Sequence, residues 1–219
     1  MESLINAFVT LFVVTDPVGV AAIFATLTRG MAPVQRRRMA LRGVSLATAI
    51  LVVFFLSGER LLEVLGISLN AFRIAGGILF FMLSIDMVFA RQSGLRSTTH
   101  EEREEAAHKA DISVFPLAFP LIAGPGAMTT VILMSAPPVD LATDLALFAV
   151  VVVVMAFTAL ALLGAGHITR LLGETGGNVI NRLLGLVLAA LAVQYVLDGV
   201  NGALLRTAAM EILAQMSYG

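Results

Sequence analysis

Two stretches of this sequence put chemically demanding residues inside otherwise apolar runs. The first, LFVVTDPVGVAAIFATL, runs from Leu11 to Leu27 and holds Asp16, Pro17 and Gly19. The second, FPLIAGPGAMTTVIL, runs from Phe119 to Leu133 and holds Gly124, Pro125 and Gly126. Aspartate is a favoured helix N-cap because its carboxylate accepts a hydrogen bond from an exposed amide. Proline suits the first helical position, where its missing N–H is no loss. Asp16-Pro17 therefore reads as the start of a new half-helix. Gly124-Pro125 reads as another, with Gly124 as cap and Gly126 allowing close backbone approach. Each start directs free amides and a positive dipole end at its surroundings. One adds a carboxylate; the other offers bare N–H groups. A zwitterionic amino acid fits that pair, with its carboxylate on the Gly124–Gly126 amides and its ammonium near Asp16. A coupling proton on Asp16 is a further use of the same carboxylate. The simpler alternative is that both prolines are kinks and Asp16 only caps its own helix.

The elements that must hold these residues are set by composition. Of 219 residues, 58% are hydrophobic and 13% charged, with a mean hydropathy of +0.94. Soluble domains carry about twice that share of charge, and here the apolar residues are gathered into long runs. The expectation is an all-α integral membrane protein. About 20 apolar residues cross a hydrocarbon core, which gives six spans, at about 4–28, 41–62, 69–90, 112–134, 143–167 and 179–200. The first and fourth would be broken near the bilayer midplane. Residues 91–111, RQSGLRSTTHEEREEAAHKAD, are polar and read as a solvated cytoplasmic loop, in which His100 and His108 are the only residues suggesting more. Residues 201–219 read as a C-terminal tail. The start of the chain lacks a basic region before its apolar run, so that run reads as a retained span rather than a cleaved leader.

Basic residues orient the spans, because basic loops stay cytoplasmic. Arg29, Arg36, Arg37, Arg38, Arg42, Arg91, Arg96, Arg103, Lys109, Arg170 and Arg182 fall on one side; Arg60, Arg73 and Arg206 fall on the other. The bias places both termini outside the cytoplasm. The chain also repeats itself. RIAGGILFFMLSIDMV (Arg73–Val88) is echoed by RLLGLVLAALAVQYVL (Arg182–Leu197), and Pro17 by Pro125, at offsets of about 108 residues. Two halves, about 1–90 and 112–200, each carry three spans, so the second enters the membrane from the opposite face. Inverted-topology repeats of this kind recur in secondary transporters, with substrate held between the halves.

Other polar residues in the spans carry less. Thr15, Thr129 and Thr130 flank the breaks and either line a cavity or bond back to their own helix. Asn6, Asn70 and Asn181 lie near span ends, where a cap is the default, and Gln194 and Tyr195 are only weak candidates for a central cavity. Arg73 and Arg182 occupy equivalent repeat positions and read as interfacial anchors. Gly76, Gly77, Gly164, Gly166 and Gly185 read as close-packing positions. Asp86 and Asp198 close opposite ends of their spans, so they cannot act as a dyad. The absence of cysteine excludes thiolate chemistry, and His100, His108 and His167 are scattered, so neither an enzyme nor a bound metal or cofactor is expected. Nothing in the charge pattern suggests nucleic acid.

The blocks TDPVGVAAIFATLT, RIAGGILFF, PLIAGPGAMTTVI and LLGLVLAALAVQYVLDGV resemble the MarC family of bacterial inner-membrane proteins, over about Leu4 to Val200. That family is related to neutral amino acid transporters of the SnatA type. The resemblance implies six helices, an inner-membrane location and, for some members, uptake of small neutral amino acids coupled to a cation. It carries Asp16, Pro17 and Gly19 from the first block and Gly124, Pro125, Gly126 and Ala127 from the second as site positions. The expected function is a secondary transporter of small zwitterionic metabolites, proton- or sodium-coupled, working as a monomer or homo-oligomer in the bilayer. An exporter of similar solutes, and a passive channel or structural membrane protein, are the alternatives.

Overall fold

The computed structural model describes residues 2–89, 111–135 and 140–217, and among these every regular element is helical. Of the expected loop at 91–111, residues 91–110, with His100 and His108, lie outside the described residues. Helix α1 covers Glu2–Thr15 and α2 covers Pro17–Leu27; together they supply one apolar span, Leu4–Leu27. Helices α3 (Pro33–Val64) and α4 (Leu69–Val88) follow. Then come a π-helical segment, α5 (Ser113–Ile122), and α6 (Pro125–Ser135), two pieces bent by 58° to each other. Helix α7 covers Leu141–Leu163 and α8 covers Ala165–Ser217. Five elements are long and apolar enough to cross a membrane, or six if the bent α5–α6 pair is one span.

Three boundaries differ from expectation. Helix α3 begins at Pro33, well before the apolar run, because proline at its first position starts a helix that needs no lipid. Its first turns carry Arg36, Arg37, Arg38 and Arg42. The interval expected between the last two spans is helical as well, since α8 starts at Ala165 and is interrupted only at Gly173 (φ 60°, ψ −175°), a backbone state natural to glycine. The stretch expected as a tail continues α8 to Ser217, so Asp198 lies inside a helix rather than at its end. There Asp198 accepts a 2.7 Å hydrogen bond from Gln194.

Side-chain packing fixes how the helices run. A Cβ at Gly43 would meet Leu117 and the Ser113 carbonyl, and one at Gly58 would meet Ile132. Helix α3 therefore runs in the same direction as α5–α6. Helix α4 runs antiparallel to α8: Gly77 lies against Ala192 and Val196, Gly185 against Met87 and Val88, and Gly199 against Asn70 and Ile74. These contacts form the most extensive interhelical seam, and Gly77 and Gly185 serve it as the sequence suggests. Gly76 faces the Thr129 methyl. Gly164 instead caps α7, and Gly166 faces the Arg36 guanidinium, so neither packs two helices together. Leu11, Phe24, Leu51, Phe80 and Val131 are fully buried where α1, α2, α3, α4 and α6 converge, whereas Leu56, Val64, Leu183 and Leu186 are exposed, as lipid-facing residues must be.

One polar clamp ties the start of α3 to the entry of α5. Arg42 pairs with Asp111 at 2.5 Å, and Asp111 accepts from both the Ser113 hydroxyl (2.6 Å) and the Ser113 amide (2.9 Å). Those Ser113 hydrogen bonds, with the Arg42 and Arg38 charges adding to them, hold the Asp111 carboxyl below the ordinary carboxylate range.

Candidate functional site

One residue separates α1 from α2, and the two helices form a single span without a sharp bend. Asp16 adopts φ 43° and ψ 71°, the only positive φ outside glycine among the described residues. Left-handed backbone costs a residue with a Cβ roughly 1–2 kcal/mol, and aspartate is among the few that tolerate it. The carboxylate compensates as an N-cap: Oδ1 accepts from the Gly19 amide at 3.1 Å, and Pro17 takes the first helical position. Asp16 is only 3% exposed. Gly19 has a steric duty here, since a Cβ at that position would collide with Asp16 Oδ2. Gly19→Ala is therefore expected to expel the carboxylate from its cap and lower stability by about 1 kcal/mol, the worth of a typical N-cap, measured as a shift in thermal unfolding.

The second break is wider. Helix α5 contains Phe115 and Phe119 in extended conformation, each ahead of a cis proline (Pro116 and Pro120). It ends where the Ala123 amide bonds to the Ala118 carbonyl. Gly124 then acts as the cap of α6, its carbonyl accepting from the Met128 amide at 3.0 Å. A Cβ on Gly124 would lie 2.5 Å from the Pro120 carbonyl, so the turn needs glycine. Pro125 opens α6, leaving the Gly126 and Ala127 amides in a first turn where helix geometry provides no acceptor.

The start of α6 approaches the end of α1. A Cβ on Gly126 would sit 2.9 Å from Val14 Cγ1, 3.6 Å from Phe80 and 3.8 Å from Leu83. The close neighbours of Gly126 are thus side chains of α1 and α4, where a backbone approach was expected. Between them is a cavity of about 20 Å³, lined by Val14, Leu83, Pro120, Leu121, Ile122, Gly124, Pro125, Gly126 and Ala127. That volume holds about one water molecule. Asp16 stands two residues beyond Val14 and does not line it.

The threonines divide. Thr130 bonds back to the Gly126 carbonyl at 2.9 Å, a purely helical role. Thr129 is buried with its methyl on Gly76. Thr15, 1% exposed, leaves its hydroxyl oxygen without a hydrogen-bond partner among the described residues. A buried hydroxyl in that state carries an unmet desolvation cost of about 1–3 kcal/mol, and it adjoins the αL residue of the first break. Among the described residues, no group of three or more His, Asp or Glu gathers in metal-binding proximity. Sequence reasoning did not select Val14, Phe80 or Leu83, because apolar residues in an apolar span carry no local signal.

A family model described as "MarC family integral membrane protein" matches residues 1–204. The chain belongs to the MarC family. Curated relatives are of similar length. A UPF0056 membrane protein of Methanocaldococcus jannaschii is 37% identical over 94% of this chain and 99% of its own. The UPF0056 membrane protein YvbG of Bacillus subtilis is 37% identical over 91% of this chain and 94% of its own, and a UPF0056 membrane protein of Aquifex aeolicus is 33% identical over 91% and 93%. No solved structure matches the chain. This MarC family member is a multi-pass membrane protein, and both breaks fall within the residues matched by the family model.

Proposed function

We propose that this protein is a secondary transporter of small neutral, zwitterionic amino acids or similar small metabolites, moving them across the plasma membrane by alternating access. A proton or sodium gradient would drive it. The observation that carries the reading is the cavity at the α6 N-terminus, lined on its other side by Val14 near the end of α1, two residues before the buried, capped Asp16. In this reading the Gly126 and Ala127 amides take the solute carboxylate, which a helix N-terminus favours. Asp16, with Thr15 beside it, serves the ammonium or the coupling ion once it is released from the Gly19 amide. Pro17, Gly19, Gly124, Pro125 and Thr129 hold the two ends in shape. A site now large enough for one water is a closed state, and helix separation would admit the solute.

Alternating access is supported by the packing plan. Exchanging α1 with α5, α2 with α6, α3 with α7, and α4 with α8 turns each major packing pair into another that is present: α3 on α6 becomes α7 on α2, and α2 on α8 becomes α6 on α4. The antiparallel seam of α4 and α8 maps onto itself. This exchange supports the reading of two inverted three-span repeats, at about 1–90 and 112–200, with their first spans broken near the bilayer midplane. Both termini then face away from the cytoplasm, as the arginine distribution favours.

Proteoliposomes loaded with unlabelled glycine or alanine test the reading. A carrier accumulates labelled amino acid by counterflow, reaching a transient maximum before decay. Monotonic equilibration of the label would indicate a pore, and no entry of any small amino acid would reject the substrate class.

A further inference from the structure

The lipid-facing side of α3 ends in charge at both membrane surfaces, and the two ends are answered differently. Exposed residues recur every three or four positions along this helix: Leu41, Ser45, Val53 and Leu56 lie on one face, with Arg38 before them and Arg60 after. That spacing makes one continuous stripe on a helix. The Ser45 hydroxyl donates to the Leu41 carbonyl at 2.8 Å, so it makes no demand on the lipid. From Arg38 to Arg60 the helix rises about 33 Å, close to the thickness of a hydrocarbon core. Each arginine therefore stands at the level of lipid headgroups, Arg60 in one leaflet and Arg38 in the other.

Arg60 has its counter-charge in its own helix, with Nη1 2.9 Å from Glu63 Oε2. Arg42, one turn inside Arg38, is held by Asp111. Arg36 turns to the other side of α3, where its guanidinium faces Gly166 at the start of α8. Arg37 and Arg38 are exposed, and among the described residues neither forms an ion pair. We infer that Arg38, with Arg37 beside it, binds the phosphate of an anionic phospholipid in the leaflet at the α3 N-terminus. A guanidinium stays charged at any relevant pH, and its fork matches two phosphate oxygens. The acyl chains run along the stripe that Leu41 opens. A zwitterionic lipid offers the same phosphate but carries a cation beside it, so the site selects headgroups of net negative charge. The arginine distribution favours the cytoplasmic side for this end of α3, the leaflet in which basic segments beside a span meet anionic lipid.

Purified protein in neutral detergent, titrated with phosphatidylglycerol and followed by native mass spectrometry, tests the assignment. Saturable binding is expected, several-fold tighter than for phosphatidylcholine. Arg38→Gln should weaken it about fivefold, and Arg37→Gln combined with Arg38→Gln about twenty- to thirtyfold. Arg60→Gln should leave it unchanged, because Glu63 already answers that charge. All three arginines are exposed, so unfolding temperatures without lipid should stay at the parent value, which separates loss of the site from loss of the fold. Inorganic phosphate at the same concentration should not displace the lipid. Unchanged phosphatidylglycerol affinity in the double variant, equal weakening by Arg60→Gln, or equal affinity for the two lipids would overturn the assignment. Displacement by inorganic phosphate would overturn the lipid as the occupant.

Discussion

Replacing Asp16 with asparagine is expected to leave a folded, membrane-inserted protein that has lost gradient-driven uptake. Asparagine has nearly the same shape, tolerates positive φ and caps helices as well as aspartate does. The bond from the Gly19 amide, 3.1 Å in the parent, can therefore persist. What disappears is a negative charge that is 97% removed from solvent. If that charge meets an ammonium or a coupling ion, the loss amounts to a charge-assisted hydrogen bond, about 1.5–3 kcal/mol, or roughly ten- to a hundredfold in apparent affinity. Asp16→Ala separates the two roles. It removes the cap, costing about 1 kcal/mol, and leaves a residue with no polar side chain in left-handed backbone at a further cost of roughly 1–2 kcal/mol. Uptake in proteoliposomes and thermal unfolding, measured on both variants, divide chemistry from structure. Full uptake with unchanged pH dependence in Asp16→Asn would reduce the carboxylate to a cap.

Gly77→Val should be the most damaging single substitution for the fold. A Cβ there would lie 2.8 Å from the Ala192 carbonyl oxygen and 3.0 Å from the Val196 amide nitrogen. Both are backbone atoms of α8, so relief requires moving α8 away from α4. Membrane helices gain little from burying apolar surface against one another and depend on close packing instead. Overpacking of this kind costs about 1–3 kcal/mol and occasionally more, and here it strikes the longest seam in the molecule. The expected result is a clear loss of monodisperse protein and a lowered unfolding temperature in detergent. Gly177→Ala is the control, because a Cβ at Gly177 meets nothing within 4 Å. On helix propensity alone it should be neutral or stabilising by up to about 1 kcal/mol. Similar losses in the two variants would mean that glycine matters in α8 and α4 for a reason other than contact.

The parts of this architecture that were legible in the sequence are those written in local chemistry. Asp16-Pro17 and Gly124-Pro125 announce helix starts because capping and the missing proline amide act within three residues. The apolar runs announce membrane helices because lipid selects for composition. Where helices continue into water, composition falls silent. The arginine-rich stretch Arg36–Arg42 in α3 and the mixed stretch around Gly173 in α8 are helical although neither is an apolar run, since the backbone ladder is indifferent to what its side chains face. The threonines show a finer limit. Thr130 bonds back to Gly126 and Thr15 does not, although both sit beside a break, because the neighbouring packing chooses the rotamer. The cavity wall was hidden for the same reason. Val14, Phe80 and Leu83 become distinctive only when α1, α4 and α6 meet.

The central claim is that the tips of α2 and α6 form one site for a small zwitterion. Purified protein titrated with glycine and alanine, with thermal unfolding as readout, tests it most directly, since a ligand of the native state raises apparent stability by mass action. The account predicts a saturable upward shift that is lost in Asp16→Asn and absent with acetate or ethylamine, which each carry half of the zwitterion. A shift retained in full by Asp16→Asn, or none with any small amino acid, would contradict it.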